Sequence, residues 1–76
     1  MRYLIASKKK AVRRGFRPLT HRWSGFKMIL NEKEVMNNQA VEGESFEDRA
    51  QDLDAEIFNE KDLVMYLQKI NWKDGN

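Results

Sequence analysis

The sequence contains no cysteine, one proline and one histidine. Without cysteine, neither a disulfide nor a thiolate metal site can stabilise the fold, so the 76 residues must rely on packing. The lone His21 cannot assemble the usual four-ligand zinc site. With 41% hydrophobic and 34% charged residues, the composition is typical of a globular chain. We expect one domain over residues 1–72, a frayed tail over 73–76, and neither metal nor cofactor.

Long hydrophobic runs are also absent. The longest run covers residues 63–67, far short of the ~20 residues that span a bilayer. Residues 3–6, which precede the first lysines, are too few for the core of a signal peptide. We therefore expect a cytoplasmic protein with no membrane partner.

Acidic residues are missing from the first thirty positions, which hold nine basic residues. Residues 31–76 hold five basic residues and all twelve acids, for a net charge of −7 against an overall +2. This asymmetry predicts either a basic binding face or two halves that neutralise each other on folding.

A short phrase occurs twice, at residues 29–36 (ILNEKEVM) and 57–64 (IFNEKDLV). Each copy is typical of a strand end, an Asn N-cap and an acidic first helical turn. A third copy at residues 5–12 (IASKKKAV) has lysines where the others have acids. The pattern predicts N-caps at Ser7, Asn31 and Asn59. It also predicts buried positions on central strands for Ile5, Ile29 and Ile57.

Strands that alternate with helices predict an α/β fold with a small, three-stranded, mainly parallel sheet and three to four short helices. The three helix starts would then cluster at the carboxyl edge of the sheet, where such folds bind ligands. Gly15 is a natural end for the first helix. The strands are predicted over residues 2–6, 26–30 and 55–58, with a further helix opened by Ser45 and a polar turn over 41–44.

Residues 16–20 are a candidate edge strand, because Pro18 lacks the N–H that a central strand needs. With it, the sheet would be four-stranded and mixed, and the element order would be β-α-β-β-α-α-β-α. That order resembles the BRCT module, a phosphopeptide-binding and scaffolding fold. The glycine pair of that family is absent, and Trp72 follows the last helix rather than lying inside it. The resemblance therefore covers the order of elements and no functional residues.

A basic segment beginning at Ser7 is the first candidate site, because a helix start with lysines attracts phosphate, either of nucleic acid or of a phosphorylated partner. Trp23 would stack on a base beside it. In the alternative interpretation, the lysines pair with the acids at the other helix starts and Trp23 fills one end of the core. The predicted phosphate-binding site comprises Ser7, Lys8, Lys9, Lys10, Arg13, Arg14, Arg17, Arg22, Trp23 and Lys27. In the alternative interpretation, the acids that pair with the lysines are Glu32, Glu34, Glu60 and Asp62.

Met65 and Trp72 form a second candidate site for a protein partner or a homodimer. If the last helix continues, the two residues lie seven apart on its outward face, and both types are enriched at interfaces. Alternatively, the helix ends near Asn71 and Trp72 folds back over the core.

Catalytic machinery is not indicated. A triad can be written from Thr20, His21 and an acid, but no nucleophile elbow supports it. No glycine-rich phosphate loop accompanies the lysines, and capping explains the carboxylates. The sequence predicts a binding module that is not an enzyme.

Overall fold

The structure is a computed structural model that describes residues 1–38 and 43–75. Within these ranges, four strands and four helices follow one another along the chain. Their bounds are β1 Arg2–Ser7, α1 Lys8–Arg13, β2 Trp23–Ser24, β3 Lys27–Asn31, α2 Glu32–Asn37, α3 Phe46–Asp52, β4 Glu56–Asn59 and α4 Glu60–Lys69. Residues 41 and 42 of the predicted 41–44 turn, and residue 76 of the predicted tail, lie outside the described residues.

The four strands form one sheet in the order β2-β3-β1-β4, and each neighbouring pair is antiparallel. The prediction of a mainly parallel sheet is therefore wrong. Residues 16–20 contain no strand and end in a turn over 18–20, and β2 lies in a segment predicted to be a loop. The resemblance to the BRCT module relied on a strand over residues 16–20, so it does not hold.

The sheet is antiparallel rather than parallel because of the short strand β2. The helical connections do join strands that run in the same direction, β1 with β2 and β3 with β4. Neither pair is adjacent, because β3 lies between the first two strands and β1 between the other two. A two-residue hairpin loop, Gly25 and Phe26, turns the chain back from β2 into β3. Gly25 has a φ of 54°, as the first loop residue of a type II′ turn requires.

The predicted N-caps are confirmed. The side chains of Ser7, Asn31 and Asn59 each accept a hydrogen bond from the backbone N–H three residues later. Their predicted clustering at one edge is wrong, because β1 runs opposite to β3 and β4. Ser7 lies at the end of the sheet that holds the β2–β3 turn, here called the hairpin edge. Asn31 and Asn59 lie at the opposite end, here called the cap edge.

Helices cover both faces of the sheet. One face, here called the α1 face, is covered by α1, α2 and α3. Leu4, Ala6, Met28 and Leu30 are buried on it and form the centre of the α1-face cluster. On the opposite face, here called the α4 face, Ile5 and Ile29 pack against Leu63 and Leu67 of α4. These four residues form the α4-face cluster. Burial from both sides explains why residues 4–6 and 28–30 are uninterrupted apolar runs.

Ile57 departs from the predicted pattern. Ile5 and Ile29 are buried on the central strands, as predicted, whereas Ile57 lies on the edge strand β4 and is 39% exposed. Position in the sheet, rather than position in the repeated phrase, therefore sets its burial.

Three helices end in the same Schellman motif, in which a left-handed residue precedes an apolar residue that folds back. Gly15 follows α1 with a φ of 94°, Asp54 follows α3 with 53°, and Asn71 follows α4 with 56°. The next residue donates its N–H into the helix in each case, from Phe16 to Ala11, from Ala55 to Ala50 and from Trp72 to Leu67. Because α4 ends at Lys69, Trp72 is turned onto the α4-face cluster instead of continuing the helix.

The first prediction concerns these helix ends. A residue with a Cβ in the left-handed region costs roughly 1–2 kcal/mol, part of which is offset by lower entropy of the unfolded chain. Gly15→Ala should therefore lower the free energy of unfolding by about 1 kcal/mol in urea denaturation. Asp54→Gly, the reverse change at the matching position of α3, should raise it slightly. An unchanged or higher stability for Gly15→Ala would show that this helix end does not constrain the fold.

Candidate nucleic-acid interface

The three lysines at the start of α1 lie far from the acidic starts of α2 and α4. Ser7 pairs with Lys27 and Tyr3 pairs with Asn31, so about four residues of β1, or ~13 Å, separate the two edges. This exceeds the Debye length of about 10 Å at 0.1 M salt. Among the described residues, no carboxylate lies within 4.0 Å of Lys9 or Lys10. The predicted pairing of these lysines with the acids of the other helix starts is not formed.

Arg2 neutralises acids at the cap edge instead. Its guanidinium lies 2.7 Å from a carboxylate oxygen of Glu32 and 2.7 Å from one of Glu47, and it stacks over the Phe46 ring at 4.6 Å. Hydrogen bonds from Arg2 hold the pKa of Glu32 and of Glu47 below their usual values. The sequence interpretation gave Arg2 no role, because its partners are 30 and 45 residues away.

The backbone at the start of α1 is largely occupied. The Lys8 N–H donates to the Phe26 carbonyl at 2.8 Å, and the Lys10 N–H donates to the Ser7 hydroxyl at 3.3 Å. The Lys8 ammonium lies 3.5 Å from the centre of the Trp23 ring, which packs against the α1-face cluster. Any phosphate contact at this helix must therefore come from side chains other than Lys8, and Trp23 acts as a core residue.

The remaining predicted site residues divide into three groups. Arg14 pairs with Asp52 at 3.5 Å, and Arg22 pairs with Asp74 at 3.0 Å. Lys27 alternates with Met28 along β3 and so points to the α4 face, away from α1. The other basic side chains are exposed, and none has a carboxylate within 4.0 Å in the described part of the chain. This set, here called the basic surface, comprises Lys9, Lys10, Arg13 and Arg17.

The direction of the basic surface follows from helix geometry. Lys9 and Arg13 each lie two residues from the buried Ala11, so both point away from the sheet. Arg17 lies in the loop that follows Gly15 and Phe16. Lys9, Lys10 and Arg13 are therefore exposed on α1, as predicted, whereas Arg17 lies beyond the end of the helix.

Phe26 was missed as a candidate. It is 89% exposed at the tip of the β2–β3 hairpin, although the sequence interpretation made it the first residue of a strand. The signal that identifies it is Gly25, whose positive φ suits the first position of a tight turn in which Phe26 is the second loop residue. Leu19, in the turn after Pro18, is similarly exposed at 91%.

His21 is held in a fixed hydrogen-bonding position. Its Nδ1 lies 2.9 Å from the Arg17 carbonyl and 3.1 Å from the Thr20 hydroxyl, and its Nε2 lies 3.1 Å from a Glu34 oxygen. A carbonyl can only accept, so Nδ1 carries the hydrogen in its contact with Arg17. That nitrogen then has no lone pair with which to deprotonate Thr20. The geometry gives the Thr20–His21–acid arrangement no nucleophilic role.

The second candidate site is not brought together. Met65 is 58% exposed on α4 and lines a shallow groove with Val64 and Met1. Trp72 is half-buried against the α4-face cluster, and its indole N–H donates to Asp74 at 2.6 Å. The tail runs on beside β2, where the Gly75 N–H donates to the Trp23 carbonyl at 2.8 Å.

A cavity of about 610 Å³ opens beside the C-terminal ends of α1, α2 and α3. Its wall carries charges of both signs, with Arg49 buried and hydrogen-bonded to the carbonyls of Val35 and Asn38. A hydrogen bond with Asp52 raises the pKa of Glu44 above its usual value. The mixed charges of this wall do not favour a polyanion, although Arg13 of the basic surface is one of its residues.

Three comparisons, with models of protein families, with curated proteins and with solved structures, found no match. None of the helices in the described ranges is long and apolar enough to cross a membrane. Within the same residues, no group of three or more His, Cys, Asp or Glu side chains could hold a metal ion. The basic surface and the hairpin tip are therefore the features from which a function can be inferred.

The second prediction concerns Arg2. The lowered pKa of Glu32 and of Glu47 means that their stabilisation is complete above the usual carboxyl pKa of about 4.3 and is lost as pH falls through the folded-state pKa. Arg2→Met removes this contribution, so the variant should lose less stability than the wild type between pH 7 and pH 3. Urea denaturation at each pH measures the difference. Arg13→Met is the control, and its acid dependence should match the wild type; equal acid dependence for Arg2→Met would contradict the pairing.

Proposed function

We propose that this protein is a non-enzymatic nucleic-acid-binding module that contacts a phosphate backbone through the basic surface. The observation that supports the proposal is the exposure of Lys9, Lys10, Arg13 and Arg17 without a carboxylate within 4.0 Å among the residues described. Neutralising phosphates with such cations releases counterions and drives binding. The proposal keeps the cytoplasmic location expected from the sequence.

The placement of the acids also supports the proposal. Glu32 and Glu47 are paired with Arg2 at the cap edge, away from α1. Of the acids nearer α1, Asp52 is paired with Arg14, and Asp54 and Glu56 lie toward the hairpin edge on the β4 side of β1. The favourable approach for a polyanion is therefore from the α1 side, and the small net charge of +2 understates the local field.

The cations favour an extended polyanion over a single phosphate group. A site for one phosphate needs donors that converge on one point. The basic surface instead extends from Lys9 along the outside of α1 to Arg17 in the following loop. A nucleic-acid backbone presents charges in a row, which matches this arrangement better than a phosphorylated side chain does.

The third prediction tests the proposal by charge reversal. Lys9→Glu with Lys10→Glu should abolish binding to single-stranded DNA, duplex DNA and heparin in fluorescence anisotropy. Stability should stay unchanged or rise, because each lysine in the first turn of a helix interacts unfavourably with the helix dipole, at a cost of ~0.3–1 kcal/mol. The matched control is Lys33→Glu with Lys61→Glu, which makes the same charge change on α2 and α4 and should retain binding.

Salt provides an independent criterion for the same binding. Four phosphate contacts predict a loss of affinity of roughly 50- to 150-fold between 50 and 200 mM salt. If both double variants lose the same affinity, the loss is caused by the change in net charge alone, and a localised site is contradicted. Absence of polyanion binding by the wild type would remove the proposal altogether.

A protein-binding function is the alternative, and the exposed groove of Met1, Val64 and Met65 favours it. Trp72 is not required, because its ring packs on the α4-face cluster. Apolar association of this kind would persist at high salt, unlike polyanion binding. Sedimentation of the wild type and of Met65→Asp at rising concentration tests whether the groove mediates self-association.

A further inference from the structure

We infer that the nucleic acid bound by the basic surface is single-stranded, and that one of its unpaired bases stacks on Phe26. The inference rests on the proposed function, and it adds a residue and a substrate class to it. Three features of the hairpin tip support it: the isolation of the Phe26 ring, the fixed position of the tip and its contact with α1.

Phe26 differs from every other aromatic residue of the chain. All eight aromatic residues are described, and seven of them belong to one of the two hydrophobic clusters. Phe26 alone belongs to neither, and 89% of its surface is exposed. The fold therefore does not use this ring for packing, which leaves it free to contact a ligand.

The tip that carries the ring is held in place. Ser24 pairs with Lys27 across the two-residue loop, and the Gly25 backbone adopts the positive φ that the turn requires. The Phe26 carbonyl accepts the Lys8 N–H at 2.8 Å, so the tip is joined to the first residue of α1. A fixed platform loses little conformational entropy on binding.

That hydrogen bond also joins the backbone of the tip to the start of α1, next to the cations. Lys9, the next residue after Lys8, begins the basic surface. Sites for single strands combine cations that follow the backbone with aromatic rings on which bases stack. Trp23 cannot serve in this way, because Lys8 covers its ring at 3.5 Å and its other contacts are in the core.

Duplex DNA offers Phe26 no equivalent partner. Base faces are stacked inside a duplex, so a protein meets phosphates and base edges rather than π faces. The six residues of α1 rise only about 9 Å, which is short for a helix that reads a groove. The exposed ring therefore has a free base face to stack on only where bases are unpaired.

The experiment compares affinities for a labelled single strand, its duplex and heparin at one salt concentration. Loss of one base–aromatic stack weakens single-strand binding by roughly 5- to 150-fold, so Phe26→Ala should show this loss while duplex and heparin binding stay within about twofold. Phe26→Trp should retain or strengthen single-strand binding, and Phe26→Leu should behave like Phe26→Ala. Leu19→Ala, at an equally exposed apolar residue outside the hairpin tip, is the control and should bind every ligand as the wild type does.

The outcomes separate the inference from the proposed function. If Phe26→Ala lowers the affinity for all three ligands equally, or for none of them, the stacking inference is wrong. The proposed function still stands in that case, as long as the wild type binds and the Lys9→Glu, Lys10→Glu variant does not. If Phe26→Leu binds the single strand as well as Phe26→Trp does, apolar contact rather than stacking is responsible and the inference fails. If the wild type binds no polyanion, both fail.

Discussion

The two-residue loop of Gly25 and Phe26 determines how the rest of the molecule is arranged. It reverses the chain between β2 and β3, so β3 returns antiparallel to β1 instead of parallel to it. This reversal separates the helix starts, leaving Ser7 at the hairpin edge and Asn31 with Asn59 at the cap edge. The lysines of α1 therefore lie away from the acids that follow the other two caps, and the hairpin tip lies beside them. Fold and charge distribution have a common origin in this turn.

Local features of the fold could be predicted from the sequence, because they depend on neighbouring residues. N-caps at Ser7, Asn31 and Asn59 follow from side chains that accept hydrogen bonds three residues later. Sheet topology could not be predicted, because uninterrupted apolar runs indicate burial from both faces and are most common in parallel sheets. The strand that changes the topology, β2, has two residues and no recognisable periodicity. Ile57 was misjudged for a related reason, since an edge position is a property of the whole sheet.

The candidate site shows the same division between local and long-range information. The outward direction of Lys9 and Arg13 follows from helical periodicity and is confirmed. Which cations are paired could not be predicted, because Arg22 meets Asp74 across 52 residues and Arg2 meets Glu47 across 45. Phe26 resembled a strand residue because the residues that follow it, 27–30, are one lysine and three apolar residues. Its exposure depends on the turn that places it at the tip.

The charge separation produced by this topology is most directly tested by backbone NMR of the wild-type protein during titration with a short single-stranded oligonucleotide. An interface at the hairpin edge predicts chemical-shift changes at Lys9, Arg13 and Phe26. It also predicts little change at Glu32 and Glu60, which begin the helices of the cap edge. Shift changes concentrated on α4 or at the cap edge, or spread evenly over the chain, would contradict the interface.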